Sequence, residues 1–154
     1  MIDDKYDISL DLLTTMFKKY LEKFYWYGKI SLDLSFKNII KIENLPITLQ
    51  IINYENNKIT KIENLPDSLL EFDCSWNRIT KIENLPNNLQ EINCYDNQIT
   101  KIENLSNNLK KFYCANNQII KIENLSESLQ GFDCSENKIT KIENLPNNLQ
   151  NFLF

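Results

Sequence analysis

The stretch LQEINCYDNQITKIENL, residues 89–105, decides the fold, because close copies of it lie on both sides along the chain. Its closing segment KIENL recurs every 20 residues without insertion or deletion. The copies begin at Lys41, Lys61, Lys81, Lys101, Lys121 and Lys141. A fixed period of this length is the sequence signature of a repeat array in which each unit packs on its neighbours. We therefore predict a solenoid with one coil per repeat.

Apolar residues hold the same positions in each repeat. Counted from Leu89, the fourth and sixth positions are Ile92 and Cys94, and a polar residue separates them. This alternation predicts a short strand with one buried face. The equivalent residues of the other repeats are Leu69, Leu109 and Leu129 at the first position, Phe72, Phe112 and Phe132 at the fourth, and Cys74, Cys114 and Cys134 at the sixth.

The remainder of each repeat must return the chain to the next strand. A coil of 20 residues has no room for a long helix, so we expect extended or short 3₁₀ structure on this path. Pro46, Pro66, Pro86 and Pro146 fit such a path, since proline has no N–H to give to a ladder. Ser106 and Ser126 replace proline in two repeats. The predicted fold class is a mostly β solenoid of the α/β type.

One polar residue recurs as regularly as the apolar ones. The ninth position is asparagine, and its members are Asn57, Asn77, Asn97, Asn117 and Asn137. An amide at this point can turn inward and satisfy backbone groups where the strand bends away. We therefore predict a structural asparagine column inside the solenoid.

The repeat resembles the pattern LxxLxVxxNxLxxLPxLP of the short-repeat class of leucine-rich-repeat proteins. Isoleucine stands at the outer leucine positions and cysteine at the valine position. This class includes the repeat domains of type III-secreted bacterial effectors of the YopM and IpaH type. The composition, rich in asparagine, isoleucine and lysine, is also similar to repeat proteins of giant DNA viruses of amoebae. The resemblance covers about residues 49–154 and implies a curved coil with a parallel sheet on its concave face, and a protein-binding function.

The N-terminal residues depart from the repeat. Apolar residues from Leu10 to Phe24 recur at three- and four-residue steps, which predicts an amphipathic helix over roughly residues 9–26. Leu32 lies 20 residues before Ile52, so residues 29–40 read as a degenerate first coil. We predict a capping helix and degenerate first repeat in residues 1–40. Residues 41–154 form the regular repeats, ending inside a repeat.

Several kinds of chemistry are disfavoured by what the sequence lacks. It has no histidine, which excludes imidazole-based catalysis, and two glycines cannot build a phosphate-binding loop. The four cysteines would form a straight column spanning about 14 Å, which cannot surround one zinc ion. We therefore predict buried free thiols, no metal, no cofactor and no enzymatic activity.

The side chains between the core positions vary from repeat to repeat and predict the binding surface. Trp76, Tyr95 and Tyr113 run diagonally across three coils, and exposed aromatics of this kind are typical interface anchors. Acidic residues surround them. The full set of predicted partner-binding residues is Glu71, Asp73, Trp76, Glu91, Tyr95, Asp96, Lys111, Tyr113 and Asp133. We predict an interaction module whose concave surface binds a protein with a basic or mixed surface.

Charge and hydropathy limit the partners and the compartment. The net charge of −4 argues against nucleic acid, because phosphate binding normally requires a basic patch. No run of 18 apolar residues predicts a membrane span, and the acidic N-terminus does not read as a secretory signal. We expect a cytoplasmic protein, in the host cytoplasm if it is viral.

Two further hypotheses concern the two ends of the sequence. The predicted helix faintly resembles an F-box motif, so the alternative function is an adaptor whose N-terminal helix docks a ubiquitin-ligase subunit while the repeats bind substrate. At the other end, Leu149, Phe152 and Phe154 occupy the first, fourth and sixth positions of a further repeat. An exposed strand edge there would pair with a second copy. The sequence therefore predicts a homodimer through the C-terminal strand.

Overall fold

The computed structural model describes residues 25–26, 29–42, 45–102, 105–142 and 144–154. The predicted helix lies outside these residues, except for its last two. Those two form strand β1 (Tyr25–Trp26) instead of helix, so the prediction is wrong at this point. The reason is local pairing: β1 runs antiparallel to β2 (Lys29–Asp33), with Tyr25 opposite Ile30, and satisfies backbone groups of the first coil.

Each coil contributes one strand of three residues to the main sheet. After β2 come β3 (Ile51–Asn53), β4 (Glu71–Asp73), β6 (Glu91–Asn93), β8 (Lys111–Tyr113), β9 (Gly131–Asp133) and β10 (Asn151–Leu153). From β2 onward, neighbours pair in parallel and in register, so that each residue faces the residue 20 positions away. The coil and the parallel sheet confirm the fold predicted from the repeat.

Two local features occur where most of these strands end. At the third strand position, Asp73 Oδ1 accepts the backbone N–H of Ser75 at 2.9 Å, and Asn53 Oδ1 accepts that of Glu55 at 2.8 Å. Such Asx turns offer the backbone an alternative to the ladder. The residue that precedes each asparagine of the column then has a positive φ, as at Asn56 (53°) and Asp96 (52°). The chain is thereby turned away from the sheet.

The core is a set of stacked columns. Leu89, Ile92, Cys94 and Ile99 are fully buried, as are most of their equivalents in the other coils. Phe132 stacks on Phe112 with ring centroids 5.6 Å apart. Because each coil packs on the coils before and after it, burial of apolar area accumulates along the solenoid axis.

The asparagine column hydrogen-bonds to backbone groups just beyond the end of each strand. Asn97 Nδ2 donates to the carbonyl of Cys94 in its own coil at 3.2 Å and to that of Cys74 in the preceding coil at 3.0 Å. Its Oδ1 accepts the N–H of Ile79 at 2.9 Å. The same pattern repeats at the other column members. Each amide therefore ties one coil to the coil before it.

The return path is extended. Strands β5 (Lys81–Ile82) and β7 (Lys101–Ile102) form a second, two-stranded parallel ladder, and the described residues contain no 3₁₀ helix. A turn follows each proline position, where Leu89 N–H donates to Pro86 O at 3.1 Å. Ser106 keeps this turn in place of proline, because its hydroxyl donates to Asn87 O at 2.7 Å and accepts from Asn108 N–H at 3.2 Å. In the part of the chain described, there is no helix that could cross a membrane.

Candidate functional site

We use the term sheet face for the outward side chains of the main sheet together with the exposed side chains of the turn that follows each strand. Register places equivalent residues of successive coils side by side across it. The first strand position carries Ile51, Glu71, Glu91, Lys111 and Gly131, and the third carries Asn53, Asp73, Asn93, Tyr113 and Asp133. Side chains at these positions differ from coil to coil, so the surface is chemically irregular on a regular backbone.

Two carboxylates face each other at the first strand position. Glu71 and Glu91 are paired in register, and like charges placed opposite each other are unfavourable. Lysines on either side relieve this: Lys29 Nζ lies 2.6 Å from Glu71 Oε1, and Lys111 Nζ lies 2.9 Å from Glu91 Oε2. The hydrogen bond that Lys111 donates to Glu91, together with the negative charge of Glu91, raises the pKa of Lys111. These exposed ion pairs contribute little to stability and leave the row close to neutral.

Two of the predicted binding residues have structural contacts of their own. Asp73 Oδ1 accepts from the hydroxyl of Ser75 at 2.6 Å in addition to its N–H, and Asp73 Oδ2 accepts from Asn93 Nδ2 at 2.9 Å. Asp133 holds Ser135 in the same way. Both carboxylates shape the end of a strand. The sequence signal for this role was the recurrence of Asp or Asn at the third strand position.

The structure brings together two of the three predicted aromatic anchors. The rings of Trp76 and Tyr95 meet edge to face with centroids 5.5 Å apart, and the side chains are 49% and 37% exposed. Tyr113 lies elsewhere, half-buried beside Gly131, where a Cβ would stand 3.6 Å from the tyrosine hydroxyl. The exposed anchor is therefore a pair, not a diagonal of three.

Trp76 stands in an unusual backbone conformation. Its φ is 53°, in the left-handed region that bulky residues rarely adopt. Asn56, Asp96 and Asn116 hold the same position in neighbouring coils, and these residue types tolerate that region well. Sequence reasoning missed this feature, although the Asn and Asp residues at this repeat position were a usable signal.

A shallow depression of about 220 Å³ lies on the sheet face. Ile51, Glu71, Glu91 and Tyr113 are among the residues that line it. A larger depression of about 370 Å³ lies on the return path, between Ile120 and Asn144. Neither has the enclosed shape or convergent polar groups typical of a small-molecule site.

Comparisons with known proteins agree with this geometry. A family model described as leucine-rich repeats, two copies, matches residues 87–127. The solved structure of YopM from Yersinia enterocolitica superposes with a TM-score of 0.75 and 27% sequence identity, over 77% of this chain and 27% of that one. The chain is a leucine-rich-repeat solenoid. Its repeats resemble those of bacterial effectors.

Two further structures share the fold of this leucine-rich-repeat solenoid. A Shigella effector leucine-rich-repeat domain matches with a TM-score of 0.77 at 20% identity, over 88% of this chain and 60% of that one. YopM from Yersinia pestis matches with a TM-score of 0.60 at 22% identity, over 71% and 36%. The chain thus spans less than two thirds of each structure it matches. A comparison with curated proteins finds no match.

The cysteine column of the leucine-rich-repeat solenoid is buried. Cys74, Cys94, Cys114 and Cys134 are free thiols. Burial raises the pKa of every one of them, and that of Cys134 reaches about 12. Protonated thiols are poor metal ligands and poor nucleophiles. Across the described ranges, no group of three or more Cys, Asp or Glu side chains is arranged to hold a metal ion.

The C-terminal coil of the leucine-rich-repeat solenoid extends the stacked core. Phe152 stacks on Phe132 with centroids 5.6 Å apart, and Phe154 stacks on Phe152 at 6.2 Å. Leu149 is half-buried, whereas Phe152 and Phe154 are 39% and 62% exposed. These contacts are within one chain, and the homodimer stays a prediction.

Proposed function

We propose that this solenoid is a protein-interaction module, and not an enzyme, and that it binds its partner on the sheet face. The observation that carries the proposal is the exposed Trp76–Tyr95 pair in the turns that follow strands β4 and β6. Aromatic side chains held in place lose little entropy on binding and dominate the energy of many interfaces. The leucine-rich-repeat fold supports a protein as the partner.

Charge supports a partner with a basic or mixed surface. Asp96 and Asp133 add negative charge to the sheet face beyond the Glu71 and Glu91 row. Complementary charge would speed association and select against acidic proteins. The four unpaired thiols agree with a reducing compartment, so the cytoplasmic location is proposed with this function.

Sheet-face variants test the proposal. Proteins captured from the source cells by the wild-type chain are compared by quantitative mass spectrometry with those captured by Trp76→Ala and by Glu91→Lys/Asp96→Lys. A protein that is captured by the wild type and lost with both variants, at an unchanged melting temperature, supports the sheet face as the site.

A matched control lies on the return path. Ile120, 63% exposed, stands where most other repeats have threonine, so Ile120→Thr changes a surface residue far from the strands. It should leave capture intact. Equal capture by the wild type and both sheet-face variants would place the binding surface elsewhere and defeat the proposal.

The adaptor hypothesis has a separate test. It is supported only by the pattern of the predicted N-terminal helix, which lies outside the described residues. Removing residues 1–24 keeps β1, which pairs with β2 in the first coil. If a ubiquitin-ligase subunit is captured by the full chain and lost from this truncation, the adaptor function gains support. Capture of the same proteins by both forms would contradict it.

A further inference from the structure

The Trp76–Tyr95 pair has a charged neighbour, Asp96. Asp96 holds the same repeat position as Trp76 in the next coil, one strand spacing of about 5 Å away. Asp96 Oδ2 accepts Asn116 Nδ2 at 2.6 Å, which is a neutral donor. Glu71 and Glu91 each have a lysine, but no residue in the described part of the chain forms a salt bridge with Asp96. An aromatic pair thus lies beside a carboxylate whose charge is not locally balanced.

We propose that this spot binds an arginine side chain from an extended segment of the partner protein, with the guanidinium on the ring of Trp76 and hydrogen-bonded to Asp96. The inference rests on the proposed function and deepens it. A guanidinium is planar, so it can stack on an aromatic face and form two parallel hydrogen bonds to a carboxylate, whereas an ammonium is a compact, strongly hydrated point charge that is attracted to both groups without this geometry. The Trp76 ring contacts Tyr95 at an interplanar angle of 63°, and 49% of Trp76 is exposed to solvent.

The backbone at Trp76 agrees with a binding role. In this column the left-handed conformation suits asparagine, which Asn56 and Asn116 provide on either side of Trp76 and Asp96. A tryptophan here costs folding stability, and strain of this kind concentrates at binding sites. The column also supplies unusually clean variants. Trp76→Asn and Asp96→Asn each install the residue that the neighbouring coils already carry, so the backbone is kept while the ring or the charge is removed.

The test uses three synthetic peptides that differ at one central residue: arginine, citrulline or lysine in an otherwise identical Gly-Ser context. Binding is followed by the indole N–H resonance of Trp76, which the Trp76→Asn spectrum distinguishes from that of Trp26. We expect the arginine peptide to shift this resonance at millimolar concentration. Citrulline has the same shape without the charge, so the citrulline peptide should bind at least about fivefold more weakly than the arginine peptide.

The variants give the second arm. Asp96→Asn should weaken binding of the arginine peptide by a similar factor. In Trp76→Asn, the arginine peptide should no longer shift the other resonances of the protein. Glu136→Asn is the control. Glu136 occupies the same column with a φ of 52°, and its substitution removes the same charge two coils away from Asp96. It should leave peptide binding unchanged. Equal binding of arginine and citrulline peptides would overturn the inference, as would an equal loss in Glu136→Asn and Asp96→Asn.

The inference and the proposed function can fail separately. If the cellular partner is lost with Trp76→Ala while the peptides bind alike, the arginine site is wrong and the sheet face remains the binding surface. If capture of the partner is insensitive to every sheet-face variant, the proposed function is wrong as well.

Discussion

Asn97 shows how much a single side chain can contribute in a repeat protein. Its amide hydrogen-bonds to carbonyls of Cys74, Cys94 and Tyr95 and to the N–H of Ile79, all at the point where strands turn away. Asn97→Ala leaves the buried N–H of Ile79 without its acceptor and removes one donor from each carbonyl, although Asn77, Asn117 and the Trp76 N–H still donate to the carbonyls of Cys74, Cys94 and Tyr95. We expect the free energy of unfolding to fall by about 1–3 kcal/mol, measured by urea denaturation.

The control is Asn107, an exposed asparagine whose side chain makes no hydrogen bond to any described residue. Asn107→Ala should change the unfolding free energy by no more than about 0.5 kcal/mol. A similar small effect for Asn97→Ala would contradict the role assigned to the column.

Glu136 offers a stabilising change at the same scale. It adopts a φ of 52° although glutamate disfavours the left-handed region, and it is exposed. Glu136→Asn should raise the unfolding free energy by about 1 kcal/mol, because asparagine tolerates this conformation. Asn56→Ala, at the equivalent position with a φ of 53°, should move stability in the opposite direction. Thermal unfolding of the two variants decides the matter; a shift of the same sign in both would refute the explanation.

Residue roles were predictable from the sequence where repetition isolates them. The asparagine column was predictable because asparagine stands at the same repeat position in five copies, which indicates a structural role common to all coils. Asp73 and Asp133 were assigned to binding because they vary within their column, yet each shapes its own turn. The conformation of Trp76 escaped notice because φ depends on the turn of the backbone, and only its neighbours Asn56 and Asp96 revealed that turn.

At the scale of elements, the cysteine that follows each of four strands lies in a buried column. Cys74, Cys94, Cys114 and Cys134 are buried with their thiols protonated. All four should be free and should react slowly with iodoacetamide at pH 7.5, then rapidly in 6 M guanidinium, as counted by mass spectrometry. Rapid labelling of the folded chain, or zinc in the purified protein at one ion per chain, would show that the column is open.

The same column predicts sensitivity to alkali. The ordinary pKa of a cysteine is 9.0, and burial raises that of Cys134 to about 12. Below pH 9 both folded and unfolded chains keep the proton, so the thiols stabilise the fold fully. Above it the unfolded chain releases protons that the folded chain retains, and stability is lost as the pH rises towards 12, by about 1.4 kcal/mol per pH unit for each thiol.

Urea titrations at pH 8.0, 9.0 and 10.0 measure this slope. Cys94→Ala removes one buried thiol, whose pKa burial also raises, and should make the slope shallower. Tyrosines titrate in both proteins and cancel in the comparison. An identical slope in wild type and variant would show that the cysteines do not couple folding to pH.

Element positions followed from periodicity, but element ends did not. The alternation around Ile92 and Cys94 located the strand, because a two-residue period is a direct consequence of the pleat. The end of the strand depends on the turn that follows it, which has a positive-φ residue and, in most coils, an Asx hydrogen bond, and alternation does not encode this turn. Strand β1 was missed for a similar reason: Tyr25 and Trp26 also fit the apolar pattern of a helix, and pairing with β2 decides their state.

For the whole molecule, the backbone contacts between the described coils repeat with the period of the sequence. Strand partners, ladder bonds and asparagine bonds all join a residue to one about 20 positions away. The fold was therefore predictable from one repeat and a count of copies. The identity of the partner was not, because it depends on side chains such as Trp76 and Asp96 that break the period.

The asparagine bonds between coils have a consequence for how such a chain can change length. Removing residues 81–100 would bring Asn117 over the carbonyl of Cys74, where Asn97 now lies, and Glu71 would face Lys111. Every bond type survives with one copy fewer, so this deletion should fold cooperatively with a sheet-type circular dichroism spectrum. Removing residues 81–99 instead leaves one extra residue between the two coils at the junction, which puts the bonds across that junction out of register, and we expect this chain to be less stable. The number of repeats can therefore change by duplication or loss of gene segments that encode whole repeats, because one coil can take the place of another in the stack.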